Sequence, residues 1–329
     1  MYVKIVLFFL IGSLLVVLAS MRVGDRDYFN YLDIYAEVAP FFETQKSAVS
    51  HGEPGYILLN KFCKTIGIGS LGVFFLTALS SVGLSMFFFK NHTRFFFIAV
   101  LIYFSHVFLL RDMIQIRSGL AASISLFTYP YIANRKFWRF LFVLLLAMSF
   151  HAGAGIILLV YVLYPYILKK DKNLIYLVLL GYILGVILSA SILEYIFVDL
   201  FNIPGVSLYT GDSEYFRSLG LLNPVLIKSS LLFLVLYHHR VELRKQVKYF
   251  DAFFVSFCIS IFWLSAFNNF SIFAARLATY LSNPELILLP SLFYTNINKA
   301  LLWIVVICYC VFMFSSKFET FQDLTFLFF

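Results

Sequence analysis

Long apolar runs alternate with short polar stretches along nearly the whole chain. The runs are continuous and lack the two-residue alternation of half-buried strands, so they predict helices and not a β-barrel. About 20 apolar residues in a helix cross a hydrocarbon core of about 30 Å. On that scale the pattern predicts spans at approximately 3–21, 67–89, 95–110, 113–133, 138–150, 152–168, 174–193, 222–237, 250–267, 275–295 and 300–316. The expected fold is all-α: a polytopic transmembrane bundle of about eleven helices, one integral membrane domain over 1–329. The first run is longer than the apolar region of about 7–15 residues in a signal peptide, and more spans follow it, so a retained helix is expected.

Two polar intervals are long, approximately 22–66 and 194–221. In the first, Tyr28, Tyr31, Leu32, Tyr35, Val38 and Phe42 recur at helical spacing, with Asp33 and Glu37 off that stripe. This predicts an amphipathic helix lying on the membrane surface. A second short helix is expected from Gly52-Glu53-Pro54-Gly55-Tyr56, where Pro54 suits a first turn.

Composition supports the membrane assignment. Hydrophobic residues make up 62% of the chain and charged residues 13%, about half the charge of a typical soluble domain. Mean hydropathy is +0.91. The net charge of +8 does not indicate nucleic acid as a partner, because it gathers in short loops on one side. With the N-terminus in the cytoplasm, alternate loops hold Lys90 and Arg94, Arg135 to Arg139, Lys169 to Lys172, Arg240 to Lys248, and Lys299. Basic residues of that kind mark the cytoplasmic side. The long, acid-bearing loops and the C-terminus then lie outside. Cys63, Cys258, Cys308 and Cys310 form no CxxC pair and read as packing residues, with neither disulfide nor metal implied.

Charge inside an apolar span costs a few kcal/mol and marks candidate chemistry. Arg111 and Asp112 fall between the third and fourth expected spans, and Arg117 lies about 9 Å deeper along a helix. Arg276 opens the tenth span, Lys228 falls in the eighth and Glu285 in the tenth. Guanidinium forks in the outer half suit adjacent phosphates through charge-assisted, often bidentate bonds. The plainer alternative has Arg111 snorkelling to the head groups and Asp112 neutralising Arg117. His151, between an apolar run and Ala152-Gly153-Ala154-Gly155, is a candidate general base near neutral pH. Asp25 and Glu53 are outer carboxylates suited to taking a proton from a sugar hydroxyl, with Tyr faces stacking on the ring. His106 reads as structural. No HExxH, Walker A or GxSxG motif is present.

These pieces resemble the EpsG-type relatives of the Wzy polymerases of exopolysaccharide and O-antigen. The likeness rests on Asp25-x-Asp27-Tyr28-x-x-Tyr31-x-x-x-Tyr35, on Glu53-Pro54-Gly55-Tyr56, and on Arg111 with Ile116-Arg117-Ser118-Gly119-Leu120-Ala121. It continues with Phe150-His151 and Arg276-Leu277, in the same order along nearly the full length. The resemblance implies a GT-C-like membrane glycosyltransferase of the bacterial cytoplasmic membrane. It would join oligosaccharide repeat units carried on undecaprenyl pyrophosphate at the outer face, with no metal or other cofactor and with a chain-length regulator as a partner. Catalysis would fall to His151, Asp25 or Glu53. Arg111, Arg117, Arg276, Lys228, Tyr28, Tyr31 and Tyr56 would bind the pyrophosphate and sugar. Three other readings stay open from the residues: single-sugar transfer from a lipid monophosphate, transport of a lipid-linked glycan, and acyl transfer.

The orientation is directly testable. Cysteine replacing Glu43 or Glu214 should react with an impermeant thiol reagent added outside intact spheroplasts. Cysteine replacing Lys170 or Lys245 should not. Labelling at Lys245 would invert the topology and move the arginines to the other face.

Overall fold

The computed structural model describes residues 2–25, 27–43, 52–200, 218–317 and 325–326. Asp212, Glu214 and Arg217 of the second long loop lie outside them. The described fold is all-α apart from a two-residue antiparallel pairing of β1 (Arg22–Val23) with β2 (Thr325–Phe326). The chain forms two compact units. One comprises 1–128, 138–155 and 296–329, the other 129–137 and 156–295.

The first unit is built from α1 (Tyr2–Ser20), α2 (Tyr28–Glu37), α3 (Pro54–Thr65), α4 (Gly69–His92), α5 (Phe96–Tyr103), α6 (Ile116–Ser125), the body of α8 (Phe137–Met148) and α16 (Lys299–Ser315). Helix α4 packs on α1, α3 and α6. The contact with α6 is close because both facing surfaces are lined with small residues: Thr77, Ser81 and Ser85 are buried on α4, and Gly119, Ala121, Ala122 and Ser123 on α6. Ser85 and Ser123 share a hydrogen bond at 2.8 Å. Small residues with hydroxyl contacts are how helices associate where lipid supplies no hydrophobic drive.

The third expected span does not stop before Arg111. Helix α5 continues as a π-helical segment, Phe104–Asp112, that carries both Arg111 and Asp112 inside the fold. The wider turn suits the packing at its end, where a Cβ on Gly119 would come 2.6 Å from the Arg111 carbonyl oxygen.

The second unit contains α7 (Tyr129–Ala133), α9 (Ile157–Ile167), α10 (Lys172–Ile187), α11 (Ala190–Glu194), α12 (Pro224–Gln246), α13 (Phe250–Ala266), α14 (Ser271–Ser282) and α15 (Glu285–Ser291). Helix α13 is its axis, packed by α7, α9, α10, α12, α14 and α15. Accordingly it is buried round its whole circumference, Ala252 to Ile261 without a break. Gly181 and Gly185, one helical turn apart on α10, face it, and a Cβ on Gly181 would lie 2.7 Å from Phe262 Cα. Asp171 ties the basic loops together, accepting hydrogen bonds from Arg244 Nη2 and Arg240 Nε at 2.7 Å each. Those bonds, from Arg244 above all, hold its carboxyl down at about 2. The ion network therefore persists from neutral pH down into strong acid.

Large apolar side chains face outward in both units. Phe9, Phe142, Val186, Leu234 and Val311 are each more than half exposed, a surface that water disfavours and lipid does not. Helix α4, with 24 residues, is long and apolar enough to cross a membrane, and shorter apolar helices include Phe137–Met148, Lys172–Ile187, Phe250–Ala266 and Lys299–Ser315. Several expected spans are divided, as at Leu126–Thr128 and between α14 and α15.

Candidate active site under the first loop

Helices α2 and α3 form a clamped pair. The last carbonyls of α2 lack intrahelical donors. The Lys64 ammonium of α3 supplies them, donating to Tyr35, Ala36 and Val38 oxygens at 3.1, 2.9 and 2.6 Å. Its charge also complements the negative end of the α2 dipole. Most of the expected surface stripe is turned inward: Tyr31 and Val38, with Ile34 beside them, pack with Tyr56, Cys63, Val73, Phe74 and Ile116, and Tyr28, Leu32 and Tyr35 are partly buried against this cluster, while Phe42 is exposed. Packing against α3 and α4 takes the place of lipid for this face, the difference from the interfacial helix expected here.

The start of α3 is fixed by its sequence. Pro54 has no N–H to satisfy in the first turn, and the Gly55 N–H donates to the Ser149 carbonyl at 2.7 Å. A Cβ on Gly55 would lie 2.5 Å from Ser149 Oγ and 2.8 Å from that carbonyl oxygen. The glycine thus seats Glu53-Pro54-Gly55-Tyr56 on the turn that holds Phe150 and His151, two motifs some 95 residues apart. Glu53 occupies the N-cap position, yet its carboxylate does not cap.

That carboxylate instead accepts from Arg117 Nη1 of α6, at 2.5 Å. The counter-ion of Arg117 is therefore Glu53, and Asp112 is engaged elsewhere, accepting from the Tyr103 hydroxyl at 2.7 Å. The Arg117 guanidinium lies 5.7 Å from the Tyr31 ring centre and 5.8 Å from that of Tyr56, within cation–π range. Tyr31 and Tyr56 are themselves in edge contact at 5.8 Å, and Tyr28 stacks on Phe74 at 5.5 Å. Tyr31 and Tyr56 are buried, and burial pushes both phenols above their ordinary range. In this state the faces of the three tyrosines proposed for sugar stacking are occupied by one another, by Phe74 and by Arg117.

Next to them lies an ion pair that the sequence reading passed over. Arg22 Nε donates to Asp25 Oδ2 at 2.7 Å, with both side chains wholly enclosed. Arg22 Nη1 donates to the Ala19 carbonyl at 3.0 Å, and the guanidinium sits 5.2 Å from the Phe74 ring centre. Asp25 Oδ1 accepts from the Asp27 N–H at 3.1 Å. Burial pushes Arg22 down and Asp25 up, each opposed by the other's charge. Removing one member of such an enclosed pair costs about 3–5 kcal/mol. The signal in the sequence is positional: in the expected topology Arg22 is a cation on the side where positive charge is scarce, three residues before an acid.

The other expected residues are placed as follows. Arg111 is buried in the π-helical segment and donates to Ser118 Oγ at 2.5 Å. His106 and Tyr309 share a hydrogen bond at 2.7 Å. His151 is partly buried, and its Nδ1 accepts from the Gly153 N–H at 3.1 Å. In the second unit Lys228 donates to both Glu285 oxygens, at 2.8 and 2.9 Å, so its charge is already matched. Arg276 is exposed on α14. The first unit therefore gathers Asp25, Tyr28, Tyr31, Glu53, Tyr56 and Arg117 around one polar cluster, with Arg22 added.

A family model described as the EpsG family matches residues 5–326. No curated protein and no solved structure matches the chain.

The seat of α3 yields a sharp expectation. Gly55→Ala should separate α3 from the Ser149 turn and lower activity by more than tenfold, with insertion near normal. Gly83→Ala, where a Cβ meets nothing within 4 Å, should leave activity unchanged. Glycan chain length in cells expressing each variant is the readout, and equal effects of the two would remove the seat's importance.

Proposed function

The chain belongs to the EpsG family, and from that membership and the cluster beneath α2 and α3 we propose that it is a polysaccharide polymerase of the bacterial cytoplasmic membrane. In this reading it is a GT-C-like glycosyltransferase that joins oligosaccharide repeat units carried on undecaprenyl pyrophosphate, at the outer face. The observation that carries the assignment of the site is the Arg117–Glu53 pair: a phosphate partner and a proton acceptor held together in the fold.

The chemistry follows from what each group has free. The acceptor hydroxyl oxygen forms a bond to the anomeric carbon of the donor. The bond from that carbon to the carrier pyrophosphate breaks, and the carrier leaves with the electron pair. Arg117 stabilises the negative charge that grows on the leaving phosphate in a low-dielectric site. The hydroxyl proton goes to a carboxylate. Glu53 fits that role best, since its carboxylate is partly accessible and becomes available once a phosphate replaces it on Arg117. Asp25 is enclosed and committed to Arg22. His151 Nδ1 accepts from the Gly153 N–H, so that nitrogen is already engaged and fits the base less well than Glu53. The arginines supply the positive charge for the leaving group, and the reading calls for no metal.

Arg117→Ala and Arg117→Lys should both abolish long chains, the lysine because it lacks the planar fork. Glu53→Gln should lower turnover by about 10²–10⁴ while leaving donor binding intact. Purified variants supplied with lipid-linked oligosaccharide and followed on gels give the answer. Full-length polymer from Glu53→Gln, with loss in His151→Gln, would transfer the base to the histidine.

A further inference from the structure

Beside Tyr31 and Tyr56 two enclosed donors have their hydrogen-bonding capacity unused: Arg22 Nη2 and Arg117 Nε have no partner among the described residues. Tyr56 and Asn60, one turn apart on α3, interact through their side chains, and Asn60 Nδ2 donates to the Tyr56 carbonyl at 2.7 Å. Unused enclosed donors are rare in folded proteins and call for an explanation. Here they belong to two guanidiniums, the groups suited to an acceptor-rich anion.

The two arginines are arranged at two depths. Arg117 and Glu53 retain 25% and 20% side-chain exposure, whereas Arg22 and Asp25 retain none. Each arginine is held by its own carboxylate, and each keeps N–H groups in reserve. An enclosed ion pair is a costly way to close the turn between α1 and α2, where an apolar contact would serve. A second phosphate partner would explain its presence. One phosphate would displace Glu53 from the accessible Arg117, and the next phosphate along the same ligand would take Arg22 Nη2.

We propose that Arg22 is the second phosphate-binding arginine of the site and that it selects a diphosphate over a monophosphate. This inference rests on the polymerase reading and deepens it, because phosphate count is what separates a pyrophosphate-linked donor from a monophosphate-linked one. Arg22 acts by direct contact with the inner phosphate. Asp25 orients it.

Binding of inorganic pyrophosphate and inorganic phosphate to the purified full chain in phosphatidylcholine nanodiscs, measured by calorimetry, tests this apart from polymerisation. The wild type should bind pyrophosphate at least about tenfold more tightly than phosphate. Arg22→Lys, which keeps a cation beside Asp25 and so protects the fold, should reduce pyrophosphate affinity about tenfold and leave phosphate affinity within about twofold. Arg117→Lys should weaken both. Nanodiscs containing phosphatidylglycerol should leave pyrophosphate affinity unchanged, and competition there would assign the site to lipid head groups and overturn the proposal. Unchanged pyrophosphate affinity in a well-folded Arg22→Lys, or no preference for pyrophosphate in the wild type, would also overturn it. In either case polymer formation by the wild type, scored separately, would leave the polymerase reading standing with its anion contacts elsewhere.

Discussion

A guanidinium on an apolar helix cannot be left to hydrocarbon, and much of the first unit follows from how Arg117 is answered. Its counter-charge comes from Glu53, 64 residues earlier in the chain. To deliver that carboxylate, α3 must begin at a fixed point beside α6. Pro54 starts the helix there, Gly55 seats it on Ser149, and Lys64 ties its far end to α2. Helix α2 in turn buries Tyr31 and Tyr56 against the same guanidinium. The loop helices thus meet the bundle at this charge and at the apolar cluster of Tyr31, Ile34, Tyr56 and Phe74 around it.

The same pair connects architecture with chemistry. An ion pair that is only partly enclosed can exchange one anion for another without leaving a bare charge in a low-dielectric site. On the proposed reading, a phosphate that takes Arg117 sets Glu53 free, and binding of the donor and readiness of the base are one event. The Lys228–Glu285 pair of the second unit differs, since the Glu285 carboxylate is almost wholly enclosed and both its oxygens hold the same ammonium. Its geometry suits a structural tie between α12 and α15.

Much of this was legible in the sequence, and the limits have physical reasons. Helix positions and the short helix begun by Pro54 could be read from apolar periodicity, and Arg117, Glu53 and the tyrosines could be picked out as candidates that the fold then brings together. The partner of Arg117 could not, because spacing favours a neighbour such as Asp112 while tertiary contact selected a residue 64 positions away. Local period also could not tell whether the α2 stripe faced lipid or protein, since both are apolar. The continuation of α5 through Arg111 as a π-helix goes with the close approach of Gly119, a tertiary contact that no single-helix pattern contains. Spacing does not single out Arg22, since a cation at a helix end is commonly matched by lipid head groups. Its enclosure and its pairing with Asp25 appear only in three dimensions.

On the proposed reading this chain makes glycosidic bonds from a lipid-linked donor by means of its own side chains. The most direct measurement uses the purified wild-type chain in phosphatidylcholine vesicles. It is supplied with lipid-linked oligosaccharide extracted from cells that lack this protein, without nucleotide sugar, ATP or added divalent metal. A ladder of glycans growing by whole repeat units, with release of carrier pyrophosphate, is the predicted result. Transfer of the intact donor across the bilayer with no change in glycan length would contradict it.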